Sequence, residues 1–180
     1  MRTVANIGPL VFPCPIVVDT RERLDFTFAN IQADARDGRR PIAVETIPGT
    51  LRSGDYSLLG FEDRVAIERK NINDLFSTIG QGRRRFQREL ERLSAPSYEF
   101  AAVVCEADWA AIVANPPERS MLSPKIVFRS VVAWQLRYPR IHWWMCPGRA
   151  FAEKVTFRLL ERFLKERGRA ANRRVQEDCA

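Results

Sequence analysis

The sequence GDYSLLGFEDRVAIERKNIND, residues 54–74, contains the pattern from which the fold of this chain is inferred. Two short apolar segments flank a turn that contains a glycine and two acidic residues, which predicts a β-hairpin. Asp55 opens the first strand, and Glu68, Arg69 and Lys70 end the second strand. Because successive side chains of a strand point to opposite faces, Glu68 and Lys70 share one face and Arg69 lies on the other.

The charged residues of this hairpin suit metal-dependent hydrolysis of a phosphodiester bond. Cations such as Mg2+ and Mn2+ prefer oxygen ligands, activate water and neutralise charge on phosphoryl oxygens. Asp55 and Glu68 can meet at one sheet edge, and Asp19, at the end of a neighbouring strand, can add a third carboxylate. Lys70 would bring a cation to the attacking water or the phosphate, and Asp74 would orient Lys70 or a metal-bound water. A lone Gly-Asp usually marks a turn and a lone Glu-Arg-Lys a solvated strand end, but together at this spacing they predict a hydrolytic metal site.

Strands and helices alternate along the rest of the chain, which predicts a single α/β domain with a central mixed sheet. Apolar runs and period-two alternation indicate the strands, and helical spacing between capping residues indicates the helices. Residues 48–49, Pro-Gly, are interpreted as a turn. The predicted strands are 16–19, 41–47, 56–59, 65–70, 100–105 and 141–146. The predicted helices are 28–38, 72–79, 83–93, 109–113, 124–138 and 149–167.

Composition limits the classes of protein to consider. The chain has 180 residues, 46% of them hydrophobic, and 29 basic against 22 acidic residues give a net charge of +7. A basic chain suits a polyanionic partner, but charge alone does not separate nucleic acid from an acidic membrane surface. The 4 cysteines show no zinc-finger spacing, and no apolar run is long enough to span a bilayer. We expect no membrane partner and a cytoplasmic protein if its origin is microbial or viral, or a nuclear one if it is eukaryotic.

The chain resembles the nuclease domain of the XPF/Hef family of structure-specific endonucleases, a branch of the PD-(D/E)xK superfamily. That family's signature is Gly-Asp, a variable gap, Glu-Arg-Lys, three residues and Asp, and residues 54–74 match it throughout. The resemblance extends over roughly residues 16–167. Further segments that resemble the family are VVDTRE (17–22), GRRRFQREL (82–90), FAAVVCE (100–106) and IHWWMCPG (141–148).

The resemblance implies a restriction-endonuclease-like fold, with a central mixed sheet flanked by helices, and a catalytic site in the signature. Asp55 and Glu68 would bind Mg2+ or Mn2+, with Asp19 contributing to the acidic cluster. The remaining signature residues would act around that metal: Lys70 on water or phosphate, Arg69 in the local hydrogen-bond network and Asp74 in support.

A second group of residues would support the site or contact the substrate under the same resemblance. Its members are Glu22, Arg83, Arg84, Gln87 and Arg88. The arginines of residues 83–92 have two interpretations, a solvated helix face or a phosphate-binding surface. The sequence does not choose between them.

The predicted function is a metal-dependent DNA endonuclease that acts at branched, flapped or nicked DNA, in repair or recombination. Two alternatives stay open, a noncatalytic DNA-binding or partner-docking module on the same fold and a sequence-specific restriction-type nuclease. The resemblance also allows a homodimer through the nuclease domain. We predict three segments: an irregular leader (1–15), the nuclease domain (16–167) and a flexible basic tail (168–180).

Overall fold

The computed structural model describes the backbone of residues 8–178 and the side chains of residues 8–171. A mixed six-stranded sheet lies at the centre, and helices cover both of its faces. The strands are β1 (Leu10–Val11), β2 (Ile16–Asp19), β3 (Ile42–Ala43), β4 (Thr46–Gly49), β5 (Tyr56–Leu58), β6 (Val65–Lys70), β7 (Phe100–Cys105) and β8 (Ile141–Met145). The helices are α1 (Ile72–Ile79), α2 (Arg83–Leu93), α3 (Trp109–Ala114), α4 (Pro124–Arg137) and α5 (Arg149–Asp178).

The order of strands in the sheet is β4-β2-β5-β6-β7-β8. β5 pairs antiparallel with both β2 and β6, and the other pairs are parallel. β1 and β3 form a separate parallel pair. This architecture confirms the predicted α/β fold with a mixed sheet.

Alternation along β6 divides the core into two layers. Val65 and Ile67 face the layer under α5, whereas Ala66 faces the layer under α1, α2 and α4. All three side chains are fully buried. Since both faces of the central strands are covered, these strands are continuously apolar until the charged residues at the end of β6.

The predicted hairpin and the two helices that follow it are confirmed. Asn71 caps α1 by accepting a hydrogen bond from the Asp74 backbone N–H at 2.9 Å. α2 buries its predicted narrow stripe of Phe86, Leu90 and Leu93. Local sequence signals were sufficient to predict these elements, because the turn residues, the helix cap and the spacing of apolar residues all indicate the same structure.

The predicted helix at 28–38 is wrong. Only Ala35–Asp37 forms a short 3-10 turn, and the preceding residues follow an irregular path. Phe26 stacks on Tyr56 with ring centroids 5.2 Å apart, and Phe28 packs edge-on to the same ring at 5.8 Å. Phe28 has a φ of 54°, which no α-helix permits. The apolar residues of this segment are therefore spaced for contacts with Tyr56 and not for a helix face.

The single strand predicted at 41–47 and the turn predicted at 48–49 are also wrong. β3 and β4 are separate strands, because β3 pairs with β1 and β4 pairs with β2. Pro48 and Gly49 lie inside β4, opposite Val18 and Asp19. Proline is tolerated there because β4 is an edge strand. A Cβ on Gly49 would lie 2.6 Å from Val17, so only glycine fits.

At both ends of the described chain, regular secondary structure extends beyond the predicted strands and helices. β1 lies within the segment predicted to be irregular, while residues 1–7 lie outside the described part. α5 continues to Asp178 and not to about 167, because no proline interrupts it after the glycine at 168; residues 179–180 lie outside the described part. None of the described helices combines the length and apolar character required to cross a membrane.

Candidate active site

The β5–β6 hairpin brings together three of the predicted catalytic residues, Asp55, Glu68 and Lys70. Asp55 Oδ2 accepts a hydrogen bond from the Arg69 backbone N–H at 2.7 Å. The Lys70 ammonium donates to Glu68 Oε1 on the same strand face. Glu68 is only 7% exposed, so this carboxylate and its partner lie largely out of solvent.

Gly54 sets the position of Asp55. Its φ is 79°, and a Cβ there would lie 3.1 Å from the carbonyl oxygen of Ile67. The Asp55 N–H donates to that same carbonyl at 2.8 Å, which closes the two strands on each other. A glycine at this position is therefore required for the close approach that places Asp55 beside the end of β6.

The electrostatics of the hairpin are those of a buried acid pair with one cation. Burial raises the pKa of Asp55 well above its usual range, and repulsion from Glu68 adds to the rise. Burial disfavours the charge of Lys70, but attraction to Glu68 and Asp55 outweighs it and raises the lysine pKa. Lys70 therefore remains an ammonium group beside two carboxyl groups that disfavour each other's charge.

Asp55 and Glu68 are suitable ligands for a hard divalent cation, since they offer carboxylate oxygens whose repulsion a cation would relieve. The structure does not add a third protein ligand. Within residues 8–171, no group of three or more His, Cys, Asp or Glu side chains has an arrangement that could hold a metal. The fit is that of a two-carboxylate site, which leaves the remaining coordination positions of a cation to water and substrate.

Asp19 lies next to the hairpin, but its oxygens have other partners. Its backbone N–H donates to the Asp55 carbonyl at 2.9 Å. The Arg21 guanidinium binds both of its carboxylate oxygens, at 2.7 and 2.8 Å, and the Leu51 N–H donates to Oδ2 at 2.8 Å. Burial works to raise the pKa of Asp19, but these bonds outweigh it and lower the pKa. The structure thus binds the predicted third carboxylate to Arg21 and not to the acid pair.

Asp74 lies in the first turn of α1, where its backbone N–H is capped by Asn71. Its side chain is exposed, and its charge contributes to the raised pKa of Lys70. The structure therefore shows a long-range electrostatic relation to Lys70 and, in the described part of the chain, no hydrogen bond between them.

Arg69 anchors a buried network on the opposite face of β6. Its Nε donates to Glu106 at 2.7 Å and its Nη1 to Glu22 at 3.2 Å. Arg149, at the start of α5, donates to the same Glu106 oxygen at 2.8 Å. Both guanidinium groups lie over the Phe26 ring, at 5.5 and 4.8 Å from its centroid. The network joins β6, α5 and the segment after β2 directly behind the acid pair.

Glu106 and Arg149 were not among the residues predicted from sequence. The sequence feature that could have indicated Glu106 is its position immediately after the apolar strand β7. In the structure its N–H donates to the Lys70 carbonyl at 2.8 Å. An acidic residue at the end of a strand parallel to β6 lies at the same sheet edge as Glu68 and Lys70.

The residues of α2 have different environments. Arg83 donates to Ser130 at 2.8 Å and its guanidinium lies 5.0 Å from the Trp134 ring centroid, so it fastens α2 to α4. Gln87 contacts Glu91 within the helix at 3.4 Å. Arg84 and Arg88 are exposed, and the described residues offer neither an ion-pair partner.

Glu89 is a further residue that the sequence did not indicate. It lies on the face of α2 that meets the hairpin, and its Oε1 accepts a hydrogen bond from the Gly54 N–H at 3.1 Å. Arg92 pairs with Glu89 and donates to Ser53 at 3.2 Å. These contacts hold the turn before Asp55 against α2.

The chain is similar to known proteins in both sequence and fold. Residues 18–159 match the ERCC4 domain. The fold is similar to XPF from Aeropyrum pernix, with a TM-score of 0.54, 24% identity, and coverage of 83% of this chain and 60% of that one. It is also similar to XPF from Aeropyrum pernix in complex with DNA, with a TM-score of 0.54, 22% identity, and coverage of 85% and 66%. The chain thus spans about two thirds or less of those structures, and a search of curated proteins returned no match.

Proposed function

This chain belongs to the ERCC4 domain family, and from that premise we propose that it is a metal-dependent endonuclease that hydrolyses phosphodiester bonds in DNA. The observation that carries the proposal is the acid pair of Asp55 and Glu68 with Lys70 on one face of a rigid hairpin. The XPF structure in complex with DNA supports DNA as the substrate.

Asp55 and Glu68 would hold Mg2+ or Mn2+. When bound, the cation supplies an acidified water and neutralises charge on the phosphoryl oxygens. The chain contributes the placement of the two carboxylates: the Arg69 N–H fixes Asp55, and the Lys70 ammonium fixes Glu68. The pKa of Asp55 is raised first by burial and then by repulsion from Glu68, and a cation bound by both carboxylates would offset both effects.

Lys70 would bind a phosphate oxygen or hold the attacking water. Its ammonium lies 5.0 Å from the centroid of the Phe86 ring, so an aromatic face and the Glu68 carboxylate restrict its position. Holding a cation in place before the substrate arrives reduces the reorganisation needed during reaction. Arg69 would act indirectly, because its buried network fixes the strand end that carries both catalytic side chains.

Branched, flapped or nicked DNA is the proposed substrate class, with a role in repair or recombination. Arg84 and Arg88 project from the exposed face of α2, the helix whose other face contacts the hairpin. Exposed arginines without acidic partners suit phosphate oxygens beside the cleaved bond. They would position the strand without reading its sequence.

A homodimer through this domain is the proposed assembly, with α4 and β8 as the contact. Three of the exposed apolar side chains of α4, Phe128, Val132 and Leu136, are spaced by four residues and so lie on one side of the helix. Trp144 of the edge strand β8 lies in a shallow groove shared with Leu136. A second copy, with the same stripe, would cover this surface symmetrically. Leu136→Glu should then shift the mass measured by light scattering from dimer to monomer.

The experiment that tests the function is a cleavage panel of end-labelled forks, flaps, nicked duplexes, four-way junctions and plain duplex. Wild-type protein with Mg2+ or Mn2+ should cut one or more branched or nicked substrates, and Lys70→Ala should not. Intact DNA throughout the panel would contradict the proposal. DNA binding without any cleavage would favour the noncatalytic alternative, and cleavage of plain duplex at one sequence would favour the restriction-type alternative.

A further inference from the structure

An open cleft of about 620 Å³ lies between the segment at 30–39 and α5. Three basic side chains line it, Arg39 from the segment and Lys154 and Arg158 from successive turns of the helix. Asn30 and Gln32 add side-chain amides to the same walls. The charged residues that line this cleft are therefore all basic.

Only one of the three cations of the cleft has acidic partners among the described residues. Arg158 pairs with Glu161 at 2.7 Å and lies 3.6 Å from Asp34, and it also donates to the Gln32 carbonyl. Arg158 is thus part of the wall. Arg39 and Lys154 are exposed, and neither forms an ion pair with any residue of the described chain. These two cations remain available to an anion.

The backbone holds Arg39 in a conformation that side chains rarely adopt. Arg39 has a φ of 52°, directly after Gly38 with a φ of 73°. Its N–H donates to the Asp34 carbonyl at 3.2 Å, so the turn is fixed by its own hydrogen bonds. A non-glycine residue in the left-handed region often marks a functional position, because a glycine would relieve the strain.

We propose that this cleft binds the sugar–phosphate backbone of a nucleic-acid strand, at a site separate from the catalytic hairpin. Arg39 and Lys154 would bind phosphate oxygens. Ile31 and Ala33 also line the cleft but are only 3% and 8% exposed, so the basic and amide residues provide most of its accessible surface. Cations on both walls of an open cleft suit successive phosphates of one strand.

A membrane surface fits the cleft less well than a nucleic acid does. Attachment to lipid combines basic groups with exposed large apolar side chains. Within the described part of the chain, none of the large hydrophobic side chains that are exposed lines this cleft. The chemistry of the cleft is that of a site for a phosphodiester backbone.

The cleft lies on a different side of the molecule from the acid pair. α5 covers the sheet face that carries Ile67, whereas Lys70 points to the opposite face, toward Phe86 of α2. A strand held in the cleft therefore differs from the strand at the metal site. The inference rests on the proposed function and extends it, because a branched substrate would place its second arm here.

The test measures binding of a fluorescein-labelled forked DNA in EDTA, at several salt concentrations, for Arg39→Gly and Lys154→Ala. Arg39→Gly removes the cation and suits the left-handed backbone, so folding is preserved. Each variant should bind several-fold more weakly and reduce the slope of log Kd against log salt by about 1.

Matched controls remove the same charge outside the cleft. Arg36→Ala, from the same segment, and Lys165→Ala, from the same helix, remove residues already paired with acidic neighbours. Their salt slopes should match that of the wild type. Equal salt slopes for all five proteins, or no binding of the fork by the wild type, would overturn the proposal. The same proteins are also tested for binding to phosphatidylserine vesicles, and variants that lose only vesicle binding would overturn it too. Because no divalent metal is present, this result is independent of whether the protein cleaves DNA.

Discussion

Glu106→Gln should destabilise the fold strongly, because it removes the negative charge shared by Arg69 and Arg149 behind the candidate site. The Glu106 side chain is 10% exposed and accepts hydrogen bonds from Arg69 at 2.7 Å and Arg149 at 2.8 Å. The Arg69 side chain is 4% exposed and would keep only Glu22, at 3.2 Å. Breaking a buried pair costs about 3–5 kcal/mol. Because the glutamine retains a hydrogen-bond acceptor and Arg149 is partly exposed, we expect the free energy of unfolding to fall by about 3 kcal/mol, the lower end of that range.

Urea unfolding followed by circular dichroism measures this loss, and Glu99→Gln provides the control. Glu99 also pairs with two arginines, Arg64 at 3.3 Å and Arg167 at 2.7 Å, but it is 36% exposed. Exposed pairs contribute about 0–1 kcal/mol each. A Glu106→Gln loss no larger than that of Glu99→Gln would refute the reasoning that burial makes this network important.

Three further predictions concern stability and binding. Asp19→Asn should lower the free energy of unfolding by about 2 kcal/mol at pH 7, because an amide accepts weaker hydrogen bonds than a charged carboxylate does. The pKa of Asp19 is lowered in the folded protein, so the difference from wild type in urea unfolding should vanish as the pH falls through that pKa. Gly54→Ala should lower thermal stability more than Gly60→Ala, since both have φ near 80° but only Gly54 has no room for a Cβ. Arg88→Ala should weaken DNA binding without changing the melting temperature, whereas Arg83→Ala should lower the melting temperature.

The hairpin and its helices were predictable because their signals are local. The turn, the alternation and the Asn71 cap of α1 lie within a few residues of the structure they determine. The segment around Phe28 was not predictable from its spacing, because its conformation depends on Tyr56 and Phe157, distant in sequence. Pro48 was misleading for the same reason: its place in β4 depends on pairing with β2.

The candidate site divides in the same way. Asp55, Glu68 and Lys70 lie on one hairpin: strand alternation puts Glu68 and Lys70 on one face, and the pairing of the two strands brings Asp55 beside them. Glu106 and Arg149 reach Arg69 only through the parallel pairing of β7 and the packing of α5, which the sequence pattern does not specify. Asp19 was placed correctly beside the hairpin, but its bonds to Arg21 and Leu51 depend on side-chain geometry that spacing does not reveal.

The most direct test of the central claim is the initial rate of cleavage of one labelled forked DNA as Mn2+ is increased, for wild type and Asp55→Asn. The proposed site predicts a saturable dependence on Mn2+ in the wild type. In a folded Asp55→Asn variant, it predicts a loss of rate of about 100-fold or more, because a metal ligand stabilises the transition state by several kcal/mol. Cleavage that is independent of Mn2+, or an Asp55→Asn variant as active as the wild type, would contradict the claim.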